Sequence, residues 1–214
     1  MSFVGRLLIV RHAQSVWNAA GRWQGWSDAP LSELGIDQAR LAGRALAAAG
    51  IVADLVAASD LARARVTAEL VAFELEYEKQ LVIDPDLREQ DLGQWNGLTN
   101  DEIAAQWPNE FQARRAGQLG TVPGGEPGEH FARRTMGAVR RLAAMGAETG
   151  IAVAHGGVVI ALERALGVSA KGNRHTNLSG WWLDVQGSPE EPELVPAERV
   201  DLLALGAETV TGRA

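Results

Sequence analysis

The sequence predicts an α/β fold: a three-layer α/β/α sandwich around a mostly parallel sheet, with an antiparallel edge strand. Short, nearly continuous apolar runs alternate along the chain with longer segments whose apolar residues repeat at helical spacing. Strands that are apolar on both faces are typical of parallel sheets covered by helices on either side. The 214 residues fit one domain, which we expect at 1–205, with a flexible tail at 206–214.

The first half of the chain alternates between predicted strands and predicted helices. Ser32 is a favourable N-cap for the first long helix, and Gly50 is suited to end it. The predicted elements of this half are strands at 6–10, 54–58 and 81–83 and helices at 32–49 and 61–74. This order is the one that builds a parallel sheet.

The pattern loosens in the segment 98–128, which we expect to act as a lid and to determine specificity. It contains a predicted short helix at 99–107 and a turn rich in proline and glycine at 123–128. Beyond it the sequence predicts helices at 129–145 and 157–166, strands at 151–154 and 178–185, and edge strands at 193–195 and 200–203.

The composition is that of an ordinary globular protein, with 46% hydrophobic and 22% charged residues. The net charge of −7 argues against nucleic acid or an anionic membrane as a partner, because such binders are usually basic. No apolar stretch is long enough to span a bilayer, and the N-terminal residues lack the layout of a signal peptide. The chain has no cysteine, and we expect a cytoplasmic protein.

Three of the predicted strands are each followed by side chains able to bind an anion. Arg11 and His12 come after the first strand, Arg63 lies shortly after the second, and His155 comes after the strand at 151–154. In an open α/β sheet, ligands bind at the carboxyl ends of the strands. We therefore expect these four side chains to share one site.

Two histidines and two arginines at one edge indicate a phosphate site that contains a nucleophile. Arginine matches phosphate oxygens in pairs, and an imidazole nitrogen can carry a phosphoryl group. A metal site is the alternative, because histidine is a common metal ligand. The arginines would repel a divalent cation, and neither paired carboxylates nor a His-x-x-x-His spacing accompanies them. We predict no metal and no cofactor.

Five blocks of the sequence resemble, in order, the motifs of the histidine phosphatase superfamily, the phosphoglycerate mutase-like enzymes. The first is RHAQSVWN at residues 11–18, which is similar to the family signature Arg-His-Gly-Glu/Gln-Thr/Ser…Asn. The others are GRWQGWSDAPLS at 21–32, SDLARARVTA at 59–68, LREQDLGQWNG at 87–97 and VAHGG at 153–157. Ala13 stands where the family usually has glycine, and we expect it to tighten the pocket slightly.

The resemblance implies a role for each of these side chains. His12 would be the nucleophile and become phosphohistidine, while Arg11, Arg63 and His155 would hold the phosphoryl oxygens. Glu89 would protonate the leaving alkoxide and then activate water. The further substrate contacts that the resemblance implies are Asn18, Gln24, Gly25 and Gly156.

The resemblance leaves two activities, and we favour a phosphomonoester hydrolase acting on small phosphorylated metabolites. The alternative is a cofactor-dependent phosphoglycerate mutase, which needs a longer lid and more cations. The block after Glu89 reads QDLGQWNG, unlike the mutase-type Arg-x-Tyr-Gly-x-Leu-Gln-Gly. A catalytically dead relative would be expected to lack His12 or Glu89, and both are present.

Several side chains stay open at this stage. Arg114 and Arg115 either form a solvated face or bind a second anionic group of the substrate. Three tryptophans either line the leaving-group site or pack the loop after His12: Trp17, Trp23 and Trp26. The substrates left open are sugar phosphates, phosphorylated glycerates with their glycosides, and nucleoside phosphates. Homodimers are the commonest oligomers, so a homodimer is the default assembly.

Overall fold

A computed structural model describes residues 5–168 and 175–211 of the chain. Its strands are β1 (Gly5–Arg11), β2 (Leu55–Ala58), β3 (Val82–Ile83), β4 (Thr149–Ala154), β5 (Ser179–Gly187) and β6 (Pro192–Asp201). Its helices are α1 (Val16–Ala19), α2 (Glu33–Ala48), α3 (Ala62–Glu74), α4 (Asn100–Gln106), α5 (Pro108–Arg115), α6 (Gly128–Ala144), α7 (Gly156–Ala165) and α8 (Leu202–Thr211), with 3₁₀ turns at Pro85–Leu87 and Gly93–Trp95.

The strands among these residues form one sheet in the order β3-β2-β4-β1-β5-β6. The first four strands in that order pair in parallel, whereas β5 runs antiparallel to both β1 and β6. The predicted α/β class and mostly parallel sheet are therefore confirmed. The expected antiparallel edge contains two strands, with β5 inside the sheet and β6 outermost.

Alternation along the strands gives the sheet an apolar core on each face. Leu7 and Ile9 of β1 pack in one cluster with residues of α6 and α7. Leu8 and Val10 pack in the other with residues of α2, α3 and α8. Successive side chains of a strand point to opposite faces, so a continuously apolar strand needs helices on both sides. This layering keeps the carboxyl ends of β1, β2 and β4 side by side.

Ser32 caps α2 as the sequence predicts, because its hydroxyl accepts a hydrogen bond from the amide of Gly35 at 3.0 Å. The edge of the sheet differs from the prediction. One continuous strand, β6, replaces the two short ones, and a bulge between Trp182 and Leu183 shifts the register where Pro196 enters the pairing. Proline has no N–H to donate, and the bulge allows the strand to pass it.

The tail expected at 206–214 begins inside α8, which runs to Thr211. The Asp201 carboxylate accepts hydrogen bonds from the amides of Leu203 and Ala204, which starts the helix where we predicted a strand. Gly206 then lies against Leu41 of α2. Residues 212–214 lie outside the described residues.

Segment 98–128 packs on a small apolar cluster that it shares with the preceding residues Leu92 and Trp95. Thr99 caps α4 through a capping box with Glu102, as the predicted helix at 99–107 requires. The prediction missed α5, in which Phe111 is the buried residue. The buried members of the cluster under this segment are Leu92, Trp95, Ile103, Phe111 and Val122. Where the chain is described, at 5–168 and 175–211, no helix is long and apolar enough to cross a membrane.

Candidate active site

A cavity of about 1200 Å³ opens at the carboxyl ends of β1, β2 and β4. Eight of the nine residues predicted for the site line it: Arg11, His12, Asn18, Gln24, Gly25, Arg63, Glu89 and Gly156. The ninth, His155, is fully buried directly behind His12. The four side chains that we predicted at the strand ends therefore do lie together in the structure.

His12 is buried in the floor of the cavity, with 3% of its surface exposed. Its Nδ1 lies 2.6 Å from the carbonyl oxygen of Ala13. Because a carbonyl only accepts, Nδ1 must carry the proton, and the lone pair of the neutral ring is then on Nε2. Burial, followed by the charges of Arg63 and Arg11, holds the pKa of His12 well below its usual value. At neutral pH His12 is therefore an uncharged imidazole with a free Nε2 lone pair.

His155 packs its ring edge-on against His12, with the ring centroids 5.2 Å apart. Neither of its ring nitrogens has a hydrogen-bond partner within the part of the chain that the structure describes. Burial above all, and then Arg63, lowers the pKa of His155 well below the usual value. An unpartnered polar ring beside His12 is costly to bury, which is consistent with a ligand that accepts a hydrogen bond there.

Arg63, from the first turn of α3, is held by carbonyl groups and keeps its positive charge uncompensated by a bonded carboxylate. Its Nη atoms donate to the carbonyls of Ser27 and Gly25 at 2.7 Å each, and its Nε has no partner among the described residues. Burial is the main cause that lowers its pKa to about 10. Arg11 is bound in the same manner, through Nη1 to the carbonyl of His175 at 2.6 Å. Both guanidinium groups are thus positioned by neutral acceptors and remain cationic.

Gly25 contributes its backbone and could not be replaced by a larger residue without strain. Its φ is +47°, and a Cβ there would lie 2.2 Å from Oδ1 of Asn96. Its carbonyl is one of the two that orient Arg63. Gly25 therefore orients Arg63 through its backbone carbonyl, a role that needs no contact with the substrate.

Asn18 and Gln24 are linked through Ser15 on the wall above His12. The Ser15 hydroxyl donates to Oε1 of Gln24 at 2.8 Å, and the Ser15 amide donates to Oδ1 of Asn18 at 3.2 Å. The Nδ2 of Asn177 bonds the carbonyl of His12 at 2.8 Å and Oδ1 of Asn18 at 3.3 Å. With their oxygens occupied, the side-chain NH₂ groups of Asn18 and Gln24 are the parts left to donate into the cavity.

Glu89 lies on the opposite side of the cavity, half-buried, with its carboxylate held by two backbone amides. Oε1 accepts from the amide of Gln90 at 2.8 Å, and Oε2 accepts from the amide of Gly157 at 2.9 Å. A Cβ on Gly157 would lie 2.0 Å from Oε1 of Glu89, so the carboxylate occupies the space that the glycine leaves. The first turn of α7 therefore supplies a donor to Glu89, next to the Gly156 that we predicted as a phosphate contact.

Sequence reasoning missed the group that holds the Glu89 loop. Arg134 of α6 donates to the carbonyls of Asp86, Arg88 and Glu89, each at 2.8 Å. Its guanidinium also pairs with the buried carboxylate of Glu126. No motif marks Arg134, because its partners lie about 45 residues away. Over the described ranges, no group of three or more metal-ligating side chains is found.

Of the side chains whose roles stayed open, Arg114 and Trp23 line the cavity, whereas Trp17 and Trp26 do not. Arg114 lines the cavity and donates to Oε1 of Gln90 at 3.3 Å, whereas Arg115 is exposed and lines only a smaller neighbouring cavity. Trp23 also lines the cavity and packs edge-on against Trp95. Trp26 instead donates from its indole to the carbonyl of Glu89 at 2.7 Å.

Comparison with known protein families decides the affiliation. The family model of the histidine phosphatase superfamily (branch 1) matches residues 7–188. The chain belongs to this superfamily. The resemblance of its five sequence blocks to this superfamily is thereby confirmed.

The curated relatives and the solved structures of this superfamily that the chain resembles carry different activities. It is 41% identical over 105 residues to a 2,3-bisphosphoglycerate-dependent phosphoglycerate mutase of Methylocella silvestris, an alignment that covers 49% of this chain and 51% of the relative. The chain thus spans about half the length of the curated relatives it matches.

Solved structures match the chain over most of its length. A mycobacterial glucosyl-3-phosphoglycerate phosphatase, solved with VO₃, is 32% identical with a TM-score of 0.73, covering 91% of this chain and 98% of that one. A putative alpha-ribazole-5′-P phosphatase from Escherichia coli is 25% identical with a TM-score of 0.69, covering 92% and 97%. A phosphoglycerate mutase from Bacillus anthracis, 24% identical with a TM-score of 0.75 and 97% coverage of both chains, shares the fold.

Proposed function

We propose that the protein is a metal-independent phosphomonoesterase that hydrolyses small phosphorylated metabolites through a phosphohistidine on His12. The observation that carries the proposal is the state of His12. It is a neutral imidazole whose proton is fixed on Nδ1, with Arg11 and Arg63 beside it in the same cavity. A nucleophile with a free lone pair between two cations suits attack on a phosphate dianion.

In the first step, Nε2 of His12 attacks the phosphorus atom. The P–N bond forms as the P–O bond to the leaving alcohol breaks, and Glu89 gives its proton to the departing alkoxide. Arg11 and Arg63 stabilise the equatorial oxygens, where negative charge is spread in the transition state. The hydrogen bond from Nδ1 of His12 to Ala13 stabilises the positive charge that the ring gains.

In the second step, water attacks the phosphorus atom of the phosphohistidine. The Glu89 carboxylate takes a proton from this water, the P–N bond breaks, and Nε2 of His12 recovers its lone pair. Inorganic phosphate leaves, and Glu89 is again protonated for the next turnover. Glu89 is half-buried in an open cavity of about 1200 Å³, which gives water access to this step.

Phosphoglycerate mutase is the second candidate, and the curated relatives named as mutases favour it. The hydrolase is preferred because the block after Glu89, QDLGQWNG, differs from the mutase-type pattern. Among the solved structures that cover most of the chain, the glucosyl-3-phosphoglycerate phosphatase is also more similar in sequence, at 32% identity, than the phosphoglycerate mutase from Bacillus anthracis, at 24%. The substrate class that we propose is a sugar phosphate or a phosphoglycerate-type ester. The likeness to a glucosyl-3-phosphoglycerate phosphatase and the cationic Arg114 on the cavity wall support it.

Trapping of the phosphoenzyme tests the mechanism. After rapid acid-free quenching from an aryl phosphate, wild-type protein should carry an acid-labile phosphoryl group. Glu89→Gln should accumulate more of it, because water attack is slowed while an activated leaving group needs no proton. His12→Ala should carry none and should lose at least about 1000-fold in turnover. A His12→Ala protein that still forms the acid-labile adduct would falsify the mechanism.

The same preparations separate hydrolase from mutase. We expect phosphate release from a panel of phosphomonoesters, including 3-phosphoglycerate, to outpace any isomerisation. Conversion of 3-phosphoglycerate to 2-phosphoglycerate, dependent on added bisphosphoglycerate and faster than phosphate release, would establish the mutase instead.

A further inference from the structure

Arg134 of α6 is a buried cation that uses its full hydrogen-bonding capacity and lies outside the cavity. Its side chain is 8% exposed, and its guanidinium makes five hydrogen bonds of 2.7–2.8 Å. Arginine has five N–H donors, so each of them is used. A side chain that is saturated in this way is fixed in one position, and so are the groups it bonds.

Three of these bonds end on backbone carbonyls of the loop that carries Glu89. Nη1 donates to Asp86 and Arg88, and Nη2 donates to Glu89 itself. The indole of Trp26 donates to the same Glu89 carbonyl at 2.7 Å. The main chain of Glu89 is therefore clamped by two side chains, while its carboxylate is held separately by the amides of Gln90 and Gly157.

The other two bonds join Arg134 to the carboxylate of Glu126, which is only 7% exposed. Burial alone would raise the pKa of Glu126, but the hydrogen bonds from Arg134 and His130 outweigh it and lower that pKa. Glu126 is thus charged, and it fixes Arg134 from the far side. The Glu126 backbone also bonds Asp91 and Gln90, which ties the end of segment 98–128 to the same loop.

We propose that Arg134, fixed by Glu126, is a positioning residue that sets the angle at which the Glu89 carboxylate faces the leaving oxygen. The proposal rests on the proposed role of Glu89 as proton donor. Arg134 does not line the cavity, so its effect on the reaction passes through the backbone of Glu89. A proton donor must lie within hydrogen-bond reach of the atom it protonates, and a small displacement of it reduces the rate strongly.

The dependence on leaving group distinguishes this role from a general structural one. An aryl phosphate such as p-nitrophenyl phosphate leaves without a proton, whereas an alkyl phosphomonoester needs one. For Arg134→Gln we expect kcat/KM to fall at least about tenfold on an alkyl phosphomonoester and less than about threefold on p-nitrophenyl phosphate. Arg134→Lys keeps the charge but has three donors, and it should show the same selectivity to a smaller extent.

The matched control is Arg133→Gln, which makes the same substitution one residue earlier on α6, at an exposed position. Its kcat/KM on both substrates should equal that of wild type. A double-mutant cycle adds a second criterion. If Arg134 acts through Glu89, then Arg134→Gln in a Glu89→Gln background should cause no further loss on the alkyl substrate.

Trp26→Phe gives an independent test that does not depend on the folding of an Arg134 variant. The indole is 40% exposed, and the change removes one donor to the Glu89 carbonyl. We expect a two- to fourfold loss confined to the alkyl substrate. Equal losses on both substrates, no loss in any variant, or an undiminished Arg134→Gln effect in the Glu89→Gln background would each overturn the proposal. Failure of wild-type protein to hydrolyse either ester would instead refute the proposed function.

Discussion

The two sides of the cavity are built in different ways. The floor consists of side chains at strand ends, and three of its members are almost fully buried: His12, Arg63 and His155, at 3%, 1% and 0% exposure. The wall opposite comes from segment 98–128, which packs on a small apolar cluster and presents the partly exposed Arg114. The floor is built around the ends of the strands, whereas the wall depends on a separate small cluster that includes Leu92 and Trp95.

This difference divides the proposed reaction between the two regions. The floor holds the groups that would bind and attack the phosphorus atom, and its arginines are oriented by rigid backbone carbonyls. In the proposed reaction the wall would face the part of the substrate that leaves. Changes to the floor should therefore alter the chemical step, and changes to the wall should alter the affinity for particular leaving groups.

Among substitutions that leave every catalytic side chain in place, the largest effect should come from a single methyl group added beside the Glu89 carboxylate. In Gly157→Ala the new Cβ would lie 2.0 Å from Oε1 of Glu89, at the end of a side chain that can move aside. The fold should be kept, because alanine favours the helix, but the carboxylate must shift. We expect kcat/KM on an alkyl phosphomonoester to fall about 100-fold, with an unchanged or slightly higher melting temperature.

Gly137→Ala is the control for that substitution. It makes the same change within α6, where a Cβ would meet only the flexible end of Arg141 at 3.4 Å. Its activity should equal that of wild type. If Gly157→Ala stays within threefold of Gly137→Ala on the alkyl ester, the position of the Glu89 carboxylate does not limit the reaction.

The second prediction concerns the pH dependence of the free energy of unfolding, to which the buried histidines of the floor contribute. The pKa values of His12 and His155 are lowered by burial, so the folded protein does not protonate them where the unfolded chain does, below about pH 6.5. Unfolding then takes up protons, and the free energy of unfolding falls as the pH drops. Each histidine should contribute about 1.4 kcal/mol per pH unit below its unfolded pKa, until its folded pKa is reached.

Denaturant unfolding of wild type and His155→Gln between pH 6.0 and 5.0 measures this contribution. His175, whose pKa is also lowered by burial, and the carboxylates are present in both proteins and cancel in the difference. We expect the free energy of unfolding to change less steeply with pH in His155→Gln, by the equivalent of about one bound proton. Equal slopes would mean that folded His155 accepts a proton as readily as the unfolded chain.

The floor could be predicted from the sequence because it follows local rules. Arg11, His12 and His155 come directly after apolar runs, and the end of a buried parallel strand is recognisable without knowledge of the rest of the fold. Glu89 does not come directly after an apolar run, and its place came from the resemblance of residues 87–97 to the family. The mostly parallel sheet and the two apolar faces of its core followed from continuous apolarity, whereas the order of the strands was not predicted.

The parts that could not be predicted depend on contacts between distant residues. α5 buries one large side chain, Phe111, and so shows little periodicity. β6 was predicted only as two short strands on either side of Pro196 and its neighbours, yet pairing with β5 makes it one continuous strand. Arg134 holds carbonyls 45–48 residues away, and backbone acceptors leave no trace in the side-chain sequence.

The smallest effect should come from a substitution in the wall, at Arg114. Arg114 lines the cavity with one hydrogen bond, to Gln90, and has no ion pair with a carboxylate among the described residues. Arg114→Gln should raise KM about three- to tenfold for a phosphomonoester with a second anionic group and change kcat less than twofold. On p-nitrophenyl phosphate, which lacks that group, KM should not change.

The control is Arg115→Gln, at the adjacent exposed position, which should match wild type on both esters. A loss of kcat equal to the loss in kcat/KM would place Arg114 with the floor, because only an interaction made in the transition state lowers both equally.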